Sequence, residues 1–181
     1  MHFKGGDKVE ISTELVKKAK AGDDDAFSEL YILIYKDMYK YAYYYLDNAM
    51  DAEDAVAETV LDAYKSIRKL RQEESFKNWM FRILTIKCKK KLEKYIQRDV
   101  ELTDNIAFEE KDIDEYEDVR VAFSVLTEEE KQVVSLSVFA GYKSHEIAES
   151  MGLNSNTVRS KLSRALAKMQ KKLEIMSWIG G

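Results

Sequence analysis

The run SHEIAESMGLNSNTVRSKLSRALAKM, Ser144 to Met169, decides what kind of protein this is. It reads as a short helix from Ser144 to Met151, a turn at Gly152-Leu153-Asn154, and a longer helix from about Ser155 to Met176. A short helix, a glycine-bearing turn and a polar second helix form a helix-turn-helix signature. At about 100° per residue, Val158, Leu162, Ala165, Leu166 and Met169 fall on one side of the second helix. Asn156, Thr157, Ser160, Lys161 and Arg164 fall on the other, with Arg159 at the flank. Small hydrogen-bonding side chains mixed with long cations suit a helix entering the major groove. The cations hold phosphate and guanine, while Asn, Ser and Thr reach other base edges. The competing reading is an ordinary amphipathic bundle helix. The tight turn and the shortness of the first helix count against it.

Working back along the chain, Thr127-Glu128-Glu129-Glu130 is a capping box that opens a helix ending near Gly141. Before it, Asp99 to Asp118 carries ten acids against Lys111, a net charge of −9. Few hydrophobics and high charge are the makeup of a linker, with helical pattern resuming near Asp114–Val125. Fully extended it reaches roughly 70 Å. The segment from Phe76 to the high nineties is basic and aromatic: Lys77 to Arg98 has eight bases against Glu93. Trp79, Arg82, Ile86, Lys89 and Lys90 share one sector of that helix, and Phe76, Met80, Ile83 and Leu84 another. An indole beside cations can hold single-stranded DNA, stacking on bases while the cations follow the backbone. A Trp at helical spacing is also a common core residue, and both readings stand at this point.

A third helix runs from Asp51 to about Leu70. Asp51, Asp54, Glu58 and Asp62 occupy one face, opposite Ala52, Val56, Val60, Ala63 and Ile67, and no base lies between Asp47 and Tyr64. A one-signed stripe gains nothing from internal ion pairs, so it is expected to meet an external basic partner. The plainer alternative is a solvated acidic face. Earlier still, Leu15–Ala19 is helical and ends at Gly22, Asp23–Asp25 cap the next helix, and Tyr39 to Leu46 continues the helical pattern. Its tyrosines, at nearly consecutive positions, spread around the helix and read mainly as packing.

Composition agrees with helices. The 181 residues include no proline, one cysteine and two histidines, which excludes an intrachain disulfide and leaves little for a metal site. Apolar runs are short, five residues at Tyr31–Tyr35 and six at Tyr41–Leu46, and no signal-like apolar core follows Met1, so neither membrane insertion nor export is expected. The net charge of −4 hides two basic bodies separated by the acidic connector, an asymmetry that points to a polyanion. No glycine-rich phosphate loop or isolated acid pair suggests an enzyme. Cys88 reads as a passive core thiol. The expected fold is all-α: two small helical domains at 12–98 and 119–176, joined by an acidic linker at 99–118, with tails at 1–11 and 177–181.

These residues carry a resemblance. LVKKAKAGDDDAFSELY (Leu15–Tyr31), DAEDAVAETVLDAYKSI (Asp51–Ile67) and FKNWMFRIL (Phe76–Leu84) look like region two of bacterial sigma factors. Leu126–Leu166 looks like region four. With only these two regions, the chain resembles the extracytoplasmic-function (ECF) branch. The resemblance implies a cytoplasmic, nucleoid-associated promoter-specificity subunit whose partners are core RNA polymerase and promoter DNA, with an anti-sigma factor as a further candidate and no cofactor. It assigns Asp51, Glu53, Asp54 and Glu58 to the clamp helices of the polymerase's largest subunit. It assigns Arg71, Ser75, Lys77, Trp79 and Arg82 to capture and melting of a minus-10-type element, with Lys89 and Lys90 on the duplex beside it. Asn156, Thr157, Arg159, Ser160, Lys161 and Arg164 are assigned to a minus-35-type duplex. Where the family commonly has Asn, seven residues after the Trp, this chain has Ile86. Two alternatives are a helix-turn-helix regulator that acts without polymerase, and a degenerate sigma that binds polymerase without opening promoters.

Overall fold

The computed structural model describes residues 10–97 and 114–179, with side chains described over 10–95 and 118–175. Most of the expected acidic linker and both extreme termini lie outside the described residues. Eight helices account for nearly all of the rest: α1 Thr13–Ala21, α2 Asp24–Leu46, α3 Ala49–Ser66, α4 Phe76–Gln97, α5 Asp114–Phe123, α6 Glu128–Val138, α7 Ser144–Met151 and α8 Ser155–Ile179. Short 3-10 turns at Ile67–Lys69 and Glu73–Ser75 fill the α3–α4 connection.

The helix ends follow from their side chains. The Asp23 carboxylate accepts from the Ala26 amide at 3.0 Å and opens α2. Gly22, at φ 102°, reverses the chain just before it and brings the Asp23 amide to the Lys18 carbonyl. The third helix was expected from Asp51, but Asn48 caps it by accepting from the Asp51 amide, so it opens at Ala49. The Thr127 capping box forms as expected: Thr127 Oγ1 accepts from the Glu130 amide and Glu130 Oε2 from the Thr127 amide. Glu130 also accepts from Lys168 of α8 at 2.7 Å. The lysine and then the cap hold its carboxyl below the usual range. Thr127→Ala is expected to lower stability by about 1 kcal/mol, read as a shifted midpoint in urea unfolding. An unchanged midpoint would show that the cap contributes nothing.

The first four helices enclose one core in which Val16, Leu30, Ile34, Met38, Tyr41, Ala52, Ala55, Phe76, Met80, Phe81, Leu84 and Cys88 are buried. Tyr41, Tyr44 and Tyr45 are buried, so the tyrosine series serves packing, and burial pushes the Cys88 thiol up to about 12. The last four helices make a smaller cluster of Ala122, Phe123, Leu126, Val134, Ala165 and Met169. The two halves are not separate bodies in this structure. Val133, Leu136, Ala140, Tyr142, Ile147, Ala148 and Val158 belong to the same continuous core as the first four helices.

Candidate nucleic-acid and polymerase interfaces

The helix-turn-helix has the expected geometry. Gly152 takes φ 65°, its amide returning to the Ala148 carbonyl, and Asn154 Oδ1 accepts from the Asn156 amide at 2.8 Å to start α8. Val158, Ala165 and Met169 are buried, while Asn156, Thr157, Arg159, Ser160 and Arg164 are exposed. Arg159, Ser160 and Arg164 share a shallow surface with Ser163, which the sequence reading passed over. The signal was present: 156, 159, 160, 163 and 164 follow the spacing of one helix face. Lys161 is turned to α6, where it pairs with Glu129 at 2.8 Å and helps hold α8 on α6.

The second surface lies on α4 and the turns before it. Arg71, Arg82, Lys89 and Lys90 are exposed. Ser75 is used locally, its hydroxyl donating to the Gln72 carbonyl at 2.7 Å. Lys77 pairs with Asp37 of α2 at 2.9 Å and sits 5.8 Å from the centre of the Phe81 ring. Trp79 sits where the core meets the surface. It is half-buried, packed against the core and 6.1 Å from Phe76, yet it also walls a groove of about 440 Å³. Ile83 and Ile86 continue that wall, and Lys65, Lys87 and Lys90 line its edges with Asp62 and Ser66. The groove brings Trp79 and Lys90 together. Lys65 was missed because it comes from α3, where only the tertiary fold reveals its neighbours.

The third surface is the acidic face of α3, and here the sequence expectation is corrected. The stripe is not free of internal pairs, because α4 lays lysines along it. Lys91 pairs with Asp54 and lies 3.9 Å from Asp51 and 4.0 Å from Glu58. Lys87 pairs with Asp62 at 2.6 Å and with Glu58 at 3.2 Å, and Tyr95 donates to Asp51. The Lys87 contact holds the Asp62 carboxyl below its usual value and, in return, raises the lysine. Burial pulls Lys91 down, but Asp54, Asp51 and Glu58 outweigh it and its pKa is raised. A wheel drawn for one helix cannot show charges supplied by its neighbour. Four carboxylates against two ammonium groups still leave the face negative, and Glu53 stands exposed beside it.

Among the described residues, no cluster of His, Cys, Asp and Glu is placed to hold a metal, and no helix is long and apolar enough to cross a membrane.

Both halves of the chain are similar to known proteins. Residues 30–96 match the model of sigma-70 region 2, and residues 116–169 that of sigma-70 region 4. The RNA polymerase sigma factor SigV of Bacillus subtilis is 33% identical over 141 residues, covering 76% of this chain and 85% of its own length. The ECF RNA polymerase sigma factor SigW of the same organism is 28% identical over 177 residues, 87% of this chain and 94% of its own. In fold, the chain is similar to the sigma factor RpoE of Bartonella quintana, solved with the anti-sigma factor NepR. That likeness has a TM-score of 0.70 and 20% identity, and covers 82% of this chain and 97% of that one. Both regions, in order and on one chain, make this protein a transcription initiation factor, not an enzyme: it belongs to the ECF RNA polymerase sigma factors.

Proposed function

We propose that each half of the chain, region two over 12–98 and region four over 119–176, carries a separate part of promoter engagement, as the sequence assigned them. The observation that carries this is the pairing of an exposed donor-rich face on α8 with a Trp-walled, lysine-edged groove on α4. Asn156, Thr157, Arg159, Ser160 and Arg164 read the minus-35-type duplex, with Lys161 joining by exchanging Glu129 for phosphate. Arg71, Trp79 and Arg82 take the minus-10-type strand, Lys89 and Lys90 hold the duplex beside it, Ser75 shapes the turn, and Lys77 fixes α4 on α2. Asp51, Glu53, Asp54 and Glu58 meet the clamp helices of the polymerase's largest subunit. Holding an unstacked base offsets a melting cost of a few kcal/mol, so no ATP-driven step is required. The place of action is the cytoplasm, on the nucleoid with polymerase. The solved complex of RpoE with NepR makes an anti-sigma factor a reasonable partner to seek for this chain as well.

Transcription in vitro from the promoter upstream of the chain's own gene tests this reading, with purified core polymerase and with or without the protein. A discrete start site that depends on the protein is expected. Stable core binding with transcript only from a pre-melted template would instead favour a sigma that cannot open DNA, the reading that Ile86 in the groove wall supports. Arg164→Ala is expected to cost ~1–3 kcal/mol of promoter binding, concentrated on particular upstream bases. A uniform loss across sequences would make Arg164 a phosphate contact.

A further inference from the structure

Ile32 of α2 is 71% exposed, more than any other large hydrophobic side chain among the described residues. Leu33 and Tyr35 beside it are exposed as well. The opposite side of the helix fills the core with Phe27, Leu30, Ile34, Met38 and Tyr41, all buried, so these three side chains stand on its outer face. Tyr35 is held there by its neighbours. Its ring lies 5.4 Å from Tyr31, edge to face, and 6.3 Å from Tyr39, stacked.

The charges around this patch are segregated along the helix. At about 100° per residue, Asp25, Glu29, Ile32 and Lys36 fall within a sector of roughly 60°, with Leu33 and Tyr35 on its two flanks. Asp25, Glu29 and Lys36 are exposed, and neither Glu29 nor Lys36 has an ionic partner among the described residues. The helix itself offers them none. Glu29 has the like charge of Asp25 four residues before it and Leu33 four after, while Lys36 lies between Ile32 and Lys40. The helix dipole favours acids in the first turn, but its effect fades beyond that turn. Lys36 stands near the middle of a 23-residue helix, where the dipole gives it nothing.

A second α2 running antiparallel satisfies both the apolar patch and the charges. With a two-fold axis between Ile32 and Leu33, Ile32 of one copy meets Leu33 of the other and Glu29 meets Lys36. Asp25 comes level with Lys40. Each contact then occurs twice, as a two-fold interface requires. A parallel pairing would instead set Glu29 against Glu29 and Lys36 against Lys36, which is unfavourable.

We infer that the outer face of α2 is a homodimer interface, on which a second copy of this chain lies antiparallel. The face shares no residue with the α3 stripe, the α4 groove or the α8 surface, and it stands independently of the promoter assignments. The stretch from Asp25 to Lys40 is about 22 Å long at ~1.5 Å per residue, so the contact is small. Interfaces at the small end hold weak complexes, and a Kd on the order of 10–100 µM is expected.

Sedimentation equilibrium of the full chain tests this, with loading up to about 0.5 mM to bring such a Kd within range. A monomer–dimer equilibrium is expected. Glu29→Lys sets a lysine against Lys36 at both ends of the interface, and Lys36→Glu sets acid against acid. Each is expected to weaken the dimer at least tenfold while the thermal midpoint stays unchanged, because both positions are exposed. The double variant E29K/K36E restores opposite charges across the axis and is expected to dimerise more tightly than either single variant. Cysteine cross-linking reads the orientation. Residue 32 lies beside the axis, whereas two copies of residue 25 are about 22 Å apart along it. I32C is therefore expected to form an intermolecular disulfide under mild oxidation and D25C is not, with Cys88 buried and out of the reaction. A monomer throughout the concentration range overturns the inference. So do a dimer that both single reversals leave unchanged, a double variant no tighter than the singles, and D25C cross-linking as readily as I32C.

Discussion

Trp79→Ala will remove most of the start-site transcript from a duplex promoter while leaving core binding unchanged. The indole forms one wall of the α4 groove, and Ile83 and Ile86 below it offer no hydrogen bond to a base. Stacking is therefore the main favourable term available to an unpaired base there, and an aromatic platform contributes ~1–3 kcal/mol per base. Losing it reduces the open population by roughly 5- to 150-fold, a factor of ten for each 1.4 kcal/mol. The same substitution on a pre-melted bubble template should cost much less in initiation, because the unstacking has already been done. Trp79 also packs against Phe76, so an unfolding curve must accompany the assay. Trp79→Phe separates the two roles: it keeps an aromatic face and should recover much of the activity. If Trp79→Ala is fully active on duplex DNA, the groove is not where the melted strand is held.

Ile86 sharpens that test. It is 49% exposed, large for an isoleucine that has a core to join, and it stands on the groove wall seven residues after Trp79. An apolar group there favours stacking and methyl contact over base-edge hydrogen bonding.

What could be read from the chain and what could not divides along a physical line. Helix ends were legible because caps are local: Thr127 with Glu130, Asp23, Gly22 and Gly152 each act within a few residues of themselves. The buried and exposed faces of α8 were legible because one helix face follows from period alone. The pairing of α3 with Lys87 and Lys91 was not, because those lysines come from another helix, 25 to 37 residues on, and counted in the sequence only toward the basic run from Lys77 to Arg98. Lys161 misled in the same way, since Glu129 is brought to it only by the packing of α6 on α8. The seat of region four on region two left no trace at all in any local pattern. Tyr44, Asn78 and Tyr142 look unremarkable along the chain, and only the tertiary fold brings them together.

Glu53→Lys is expected to weaken core-polymerase binding strongly without destabilising the chain. Glu53 is the one exposed carboxylate of the assigned set that needs no partner within the described residues, so its reversal breaks nothing internal. Against a basic clamp surface the new lysine exchanges an attraction for a like-charge contact, and such juxtaposition costs several kcal/mol. A loss of 30-fold or more is the expected reading, and it should shrink as salt screens the interface. Asp54→Lys should bind as badly but behave differently in isolation. It sets two cations, the new lysine and Lys91, against each other where Asp54 and Lys91 were paired, so it should also lower stability. Lys91→Met gives the opposite control. It leaves Asp51, Asp54 and Glu58 without their shared ammonium, which destabilises α3 against α4 but makes the outer face more negative. If α3 docks on a basic surface, Lys91→Met should hold core binding or improve it while Glu53→Lys loses it. If both variants bind core as the wild type does, the stripe is only the counter-charge of α4, and polymerase contacts this chain elsewhere.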